Sequence, residues 1–160
     1  MKKFILILFS VILSISIYGC SETSKYKTKG FSIEASSDYN KFKHEDYELY
    51  LEDDNSFICV FKETKKTINE SNIYDFDSVT LERYIELFYT NNNIGECEIE
   101  NQEGLSYIQY VLNRTEKEYY FRIYFFKTTT AFWACQFCCY ESVRSEYEPL
   151  FIEWSKTIEV

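Results

Sequence analysis

Proline occurs once and glycine four times in 160 residues, so the chain has the composition of neither a disordered segment nor a loop-rich scaffold. Histidine also occurs once, at His44 in the polar stretch Lys41-Phe-Lys-His-Glu-Asp46. A histidine-rich metal site is therefore excluded, and a serine triad would have to use His44 with no Gly-x-Ser-x-Gly elbow to support it. Positive charge is scarce: 17 Lys and Arg stand against 26 Asp and Glu, a net charge of −9. Such a surface repels nucleic acid and anionic headgroups. The most apolar run, residues 4–17, is shorter than the roughly 20 residues a helix needs to cross the hydrocarbon core. The carboxylate pairs Asp53-Asp54 and Asp75-Phe-Asp77 lack the Gly and Glu that complete an EF-hand loop, and are expected to serve a turn and a helix cap.

At the N-terminus, Lys2 and Lys3 precede a run of Phe, Ile, Leu, Val and Ser, and Gly19 comes directly before Cys20. This charged, apolar and small-residue order is that of a secretory signal, residues 1–19. Ile17-Tyr18-Gly19-Cys20 resembles the lipobox of bacterial lipoproteins, with a branched aliphatic residue three before the cysteine and a small one directly before it. The resemblance implies that a diacylglyceryl group is attached to the Cys20 sulfur, with chains such as palmitate, and that cleavage follows Gly19. Two or more chains make such an attachment durable. The expected location is the extracytoplasmic face of the cell membrane. Without residues 1–19 the chain keeps 15 basic and 26 acidic side chains, about −11. Contact with the membrane is therefore expected through the lipid alone.

Residues 20–30 are expected to be the lipidated cysteine followed by a polar tether, roughly 30 Å long when extended. The folded domain is expected over residues 31–160. Phe31-Ser-Ile-Glu-Ala35 alternates as a half-buried strand does. Residues 47–51 and 57–61 flank Asp53-Asp54-Asn55, a turn-forming triplet, and predict a hairpin. Leu81, Tyr84, Ile85 and Phe88 recur at helical spacing, with Asp77 or Ser78 placed to cap the start and Asn91-Asn92-Asn93 with Gly95 to end it. Beyond Gly95 the period returns to two through residues 96–100, 105–112, 119–127 and 131–140, which predicts an antiparallel meander. A closing helix is expected to run to about Thr157, with Pro149 in its first turn and Leu150, Phe151, Trp154 and Ile158 as its buried stripe.

Trp133-Ala-Cys135-Gln-Phe-Cys138-Cys139-Tyr140 has the most chemical appearance. Cys135 and Cys138 have metal-ligand spacing. The threonine and aromatic neighbourhood nevertheless favours a strand, in which Cys135 and Cys139 share one face about 13 Å apart and Cys138 lies on the other. Core burial is the expected role. Five cysteines remain after Cys20, so at least one is unpaired in a monomer. Most of the 29 Tyr and Phe residues are expected in the core. On a sheet face such rings also stack on sugars or anchor a protein partner, and the expected surface is a sheet edge or an aromatic patch near Asp53 or Asn91.

The order of elements resembles the PsbP-like and DcrB-like α/β/α sandwich superfamily, on Phe31-Ser-Ile-Glu-Ala35, Leu81-Glu-Arg-Tyr-Ile-Glu-Leu-Phe88 and the final strand with Pro149-Leu-Phe-Ile-Glu-Trp154. Where many relatives have a proline and then a tryptophan, this chain has Ser36-Ser-Asp-Tyr39. The resemblance implies an α+β fold: a single antiparallel sheet flanked by helices. Known members are mostly non-enzymatic, so it also implies binding and carries over no catalytic residue. The expected function is a lipid-anchored, non-catalytic binding or accessory module without cofactor or metal, whose partners are the membrane through Cys20 and a protein or envelope sugar, not nucleic acid. Two alternatives stay open: a redox or metal protein using Cys135, Cys138 and Cys139, and an envelope hydrolase.

Cys20→Ala is expected to abolish partitioning of the chain with lipoproteins. Metabolic labelling with a fatty acid checks this, and undiminished label on the alanine variant contradicts it.

Overall fold

The computed structural model describes residues 22–71, 73–114 and 116–160; Cys20 and the leader before it lie outside the described residues. Runs of period two become strands where a neighbour takes up their backbone groups. β1 (Thr23–Thr28) and β2 (Phe31–Ser36) pair as an antiparallel ribbon. β3 (Asn40–Phe42), β4 (Leu49–Glu52), β5 (Ser56–Thr64), β6 (Glu100–Gln102), β7 (Leu105–Arg114), β8 (Lys117–Lys127) and β9 (Ala131–Tyr140) form a seven-stranded sheet in the order β3-β4-β5-β9-β8-β7-β6. Every pairing in it is antiparallel. The helices are α1 (Lys65–Glu70), α2 (Leu81–Asn91) and α3 (Arg144–Ser155), the last entered through a 3₁₀ turn at Glu141–Val143.

The last strand in sequence is the middle strand in space. β9 lies between β5 and β8, with Cys135 opposite Val60 on one side and Tyr124 on the other. Both of its faces must therefore be covered. Ala131, Trp133, Cys135, Phe137 and Cys139 pack with Phe31, Ile33 and Ala35 of β2 and with Phe151 and Trp154 of α3. Phe132 and Ala134 pack on the opposite face with Tyr84 and Ile85 of α2 and with Phe76 and Val79 before it. A bridge between Ser32 and Glu159 joins the ribbon to the chain after α3, through N–H···O bonds of 2.9 and 3.0 Å. The Lys127 ammonium donates to the Val79 carbonyl at 2.6 Å and holds the segment leading into α2 on the sheet.

The antiparallel sheet with helices is as expected, but one covering layer is half ribbon and half helix, so the three-layer helical sandwich holds only in part. Thr23–Thr28, expected as tether, is strand β1, and its exposed lysines alternate with half-buried positions. In the turn after it Gly30 has φ +89°, and a Cβ there would meet the Trp133 ring at 3.5 Å. The cap of α2 is Thr80, whose hydroxyl accepts from the Arg83 N–H at 3.2 Å, rather than Asp77 or Ser78. Asp77 pairs instead with Lys65 of α1. The first meander strand is only Glu100–Gln102, and a two-residue turn with Glu103 and Gly104 at positive φ returns it to β7. α3 begins earlier than expected, and Pro149 lies inside it instead of in its first turn. The stripe is as expected: Phe151 and Trp154 are buried, with Leu150 and Ile158 packed beside them.

Arg122 of β8 is the one charged residue in the core among the described residues, its side chain 3% exposed. Its guanidinium donates to the Tyr124 hydroxyl at 2.7 Å, to Gln102 Oε1 at 2.8 Å and to Gln109 Oε1 at 3.1 Å, and lies 3.8 Å from the Tyr107 ring centroid. Glu148 of α3 completes the charge balance at 3.5 Å, shared with Arg144. The network ties β6, β7, β8 and α3 together. A buried charge is tolerated because its donors are satisfied.

Arg122→Leu is expected to lower stability by about 3 kcal/mol, because Gln102 and the Tyr124 hydroxyl lose their donor; urea unfolding measures it, and an unchanged midpoint contradicts the network's role. The thiols give a second test. Cys59, Cys135, Cys138 and Cys139 are buried, Cys97 is half-buried, and all five are unpaired. Burial pushes the Cys139 thiol up to about 12 and raises the thiols of Cys59, Cys135 and Cys138 as well. Among these five, alkylation of the native protein at pH 8 is expected to label Cys97 first and the rest only in denaturant. Fast native labelling of Cys138 contradicts the packing.

Candidate functional site

The α2 face of the sheet is only partly covered. α2 has 11 residues, about 16 Å of helix, and its last turn carries Phe88 over Phe61 of β5 and Phe125 of β8. Beyond that end the face stays open, and register fixes what it shows. One row across the strands is Phe57, Cys138, Phe121 and Tyr110. The next row is Tyr50, Cys59, Gln136 and Ile123. Of these, Tyr50, Phe57, Tyr110, Phe121 and Gln136 floor a groove of about 720 Å³, walled by Phe61, Phe88 and Tyr47 and rimmed by His44, Asn92, Asn93, Asn113 and Arg114.

The rings of the floor and wall are in continuous contact. Tyr110 stacks on Phe121 at 4.9 Å, Phe121 meets Phe57 edge-on at 6.3 Å, Phe57 stacks on Tyr50 at 5.9 Å, and Tyr50 stacks on Tyr47 at 5.6 Å. His44 closes the series 4.4 Å from Tyr47. All but Phe121 are half-buried or exposed, so ring faces are open to a ligand. Burial raises the Tyr110 hydroxyl and holds that of Tyr50 at about 12, with nearby Glu52 adding to the shift. Both are therefore protonated near neutral pH and able to donate.

Gln136 stands in the middle of this floor, on the central strand. It is the one side chain of β9 on this face that can make hydrogen bonds to a ligand through an amide, and it makes none with the described residues. A half-buried amide with no partner, ringed by aromatics, offers two donors and an acceptor to whatever enters. The side chains of Asn93, Asn113 and Arg114 on the rim also make no hydrogen bond or ion pair with the described residues. Asn92 by contrast donates to the Phe88 carbonyl at 2.8 Å and closes α2. A smaller cavity of about 510 Å³ lies on the other side of the end of α2 and shares Phe61, Phe88 and Asn92 with the groove. It is lined by Asp46, Lys62 and Glu63 and offers no comparable ring series.

Residues singled out in the sequence fall as follows. His44 is exposed at the groove's lip, where its Nδ1 accepts from the Asp46 N–H at 3.2 Å, and it meets no nucleophile. Asp53 closes its own turn, accepting from the Asn55 and Ser56 N–H groups at 2.8 and 2.7 Å, and takes the Tyr147 hydroxyl at 3.1 Å. The Asp75 carbonyl accepts from Ser78. Cys135 and Cys139 face the ribbon and α3, whereas Cys138 faces the groove's underside, so the three do not converge. Among the described residues no group of three His, Cys, Asp or Glu side chains is placed to hold a metal ion. Sequence reasoning passed over Gln136; its only signal is a polar residue inside Ala-Cys-Gln-Phe-Cys at a position whose alternation shares the face of Cys138.

Comparison with known proteins bears on the fold. No family model matches the chain, and no curated protein sequence does. Among solved structures, cyanobacterial PsbP (CyanoP) from Synechocystis is similar with a TM-score of 0.57 at 12% identity, over 89% of this chain and 95% of that one. A protein from Bacteroides thetaiotaomicron is similar with a TM-score of 0.51 at 14% identity, over 88% of this chain, which spans about half (48%) of that longer one. At such identities the likeness concerns the fold alone, and the fold of this chain is PsbP-like.

Proposed function

We propose that the chain is a lipid-anchored extracytoplasmic lipoprotein whose PsbP-like domain is a non-catalytic binding module, with the aromatic groove as its binding site. One observation carries the site: an open series of rings across β4, β5, β8 and β7 surrounds an amide, Gln136, that has no partner among the described residues. A structural core would have covered the rings and satisfied the amide. The groove is preformed on strands, so little ordering opposes binding. No base is paired with a nucleophile in or around it, which favours binding over turnover.

The anchor rests on the order of residues 1–20 and on Cys20 after Gly19. β1 begins three residues beyond Cys20, so a lipid there would hold the domain directly against the bilayer. The groove would then meet ligands of the envelope. The redox and hydrolase alternatives have less support, because the thiols are buried on opposite faces and the described neighbours of His44, Asp46, Tyr47 and Tyr50, include no serine, threonine or cysteine nucleophile.

Small cyclic compounds test the site. Methyl pyranosides, phenols and indoles added at millimolar concentration are expected to shift the Gln136 side-chain amide resonances and the backbone amides of Phe57, Tyr110 and Phe121. The double substitution Tyr50→Ala with Phe57→Ala is expected to weaken the effect about tenfold, the loss of about 1.4 kcal/mol of ring contact. Shifts confined to the smaller cavity, or left unchanged by the double variant, contradict the assignment.

A further inference from the structure

The charge around the groove is unlike that of the rest of the molecule. The chain carries 26 acidic and 17 basic residues, yet among the described residues no Asp or Glu lines the groove, which has Arg114 at one end and His44 at the other. Arg114 ends β7, opposite Lys117 of β8. The nearby acids Glu116 and Glu118 line a neighbouring depression with Lys117, Tyr140 and Glu141, which shares Asn113 with the groove. At the His44 end Asp46 stands 3.7 Å from Nδ1 and offsets any charge there. Arg114 is thus the cation left for a ligand.

Length and chemistry narrow the occupant. From Tyr50 on β4 to Tyr110 on β7 the floor crosses β5, β9 and β8, a span of about 19 Å at the usual strand spacing. That fits several linked rings better than a single one. An acyl chain would leave Gln136, Asn93 and Asn113 unsatisfied at a cost. An extended peptide binds a sheet through a free strand edge, whereas the groove lies on the sheet's face. Single-stranded nucleic acid stacks on aromatic residues too, but needs a positive track along its phosphates, whereas Arg114 is the one lysine or arginine among the described residues lining the groove. Sugar rings present apolar faces to aromatic side chains and hydroxyls to amides.

We infer that the groove takes a short acidic oligosaccharide, with pyranose rings over Tyr50, Phe57, Phe121 and Tyr110, ring hydroxyls on the Gln136 amide, and a sugar carboxylate on Arg114. This rests on the groove being the binding site and adds the class of ligand. Arg114 is exposed, so its contribution is modest: an exposed ion pair gives at most about 1 kcal/mol, or roughly a fivefold preference for the charged sugar. Salt weakens that preference and leaves the ring contacts in place.

Calorimetric titration of the full chain in a polyoxyethylene detergent, which has no sugar headgroup, tests the inference with three probes. These are tetragalacturonate, its fully methyl-esterified form, and tetraglutamate as an anion without rings. Tetragalacturonate is expected to bind roughly fivefold more tightly than the ester, and tetraglutamate not measurably. Arg114→Gln is expected to bring acid and ester to equal affinity, and Gln136→Ala to weaken both. Equal binding of acid and ester by the unaltered protein overturns the acidic class while the groove reading stands on its own cyclic-compound test. Binding of tetraglutamate as tight as that of the acidic sugar, an acid preference that survives Arg114→Gln, or no binding of either saccharide also overturns the inference.

Discussion

β9 is buried along both faces, and the architecture answers that demand. A strand placed fourth of seven, carrying Trp133, Cys135, Phe137 and Cys139 on one side and Phe132, Ala134 and Cys138 on the other, needs an apolar cover above and below. Below, the ribbon of β1 and β2 combines with α3. Above, α2 does the covering with the Phe76 and Val79 segment. The ten residues of β9 run about 33 Å along the strand, whereas α2 reaches about 16 Å. The cover is therefore shorter than the sheet, and the uncovered strip is where the aromatic groove lies.

Two polar residues inside the apolar strands show how structure and function divide. Arg122 in Tyr-Tyr-Phe-Arg-Ile-Tyr is surrounded by partners from three strands and a helix, so its charge costs little and fixes how α3 sits on β8. Gln136 in Ala-Cys-Gln-Phe-Cys has rings about it and no partner. Both break the apolar pattern of a core strand. Only the second leaves hydrogen-bonding capacity pointing at open space, which is the property of a site.

Much of this fold can be read along the chain because period two and period 3.6 survive wherever one face is buried. β2, β5, β7, β8, β9 and α2 all carry that signal. β1 does not: its outward face is lysine and threonine, its inward face is only half-buried, and its stability comes from backbone pairing with β2. α1 buries no residue and so leaves no stripe. The start of α3 was hidden because Arg144 and Glu148 serve ion pairs and the Arg122 network and Glu146 is exposed, which moved the apparent start to Pro149. The insertion of β9 beside β5 is a long-range pairing that local pattern does not encode. For the candidate site, the aromatic load was visible, but of the expected neighbourhoods Asp53 lies outside the groove and Asn91 lines the smaller cavity, with only Asn92 and Asn93 beside it reaching the rim. Which rings share a row with Gln136 depends on the register of four strands, and only the folded sheet supplies it.

The central claim is that the floor rings are there for a ligand and not for the core. Urea unfolding of Phe57→Ser beside Phe137→Ala separates the two roles, since Phe57 is half-buried in the groove and Phe137 fully buried under α3. The expected loss is about 1 kcal/mol or less for Phe57→Ser, as for a surface change, and about 3–5 kcal/mol for Phe137→Ala. A loss of several kcal/mol for Phe57→Ser, matching that of Phe137→Ala, would mean that the rings hold the fold together, and would contradict the groove as a binding site.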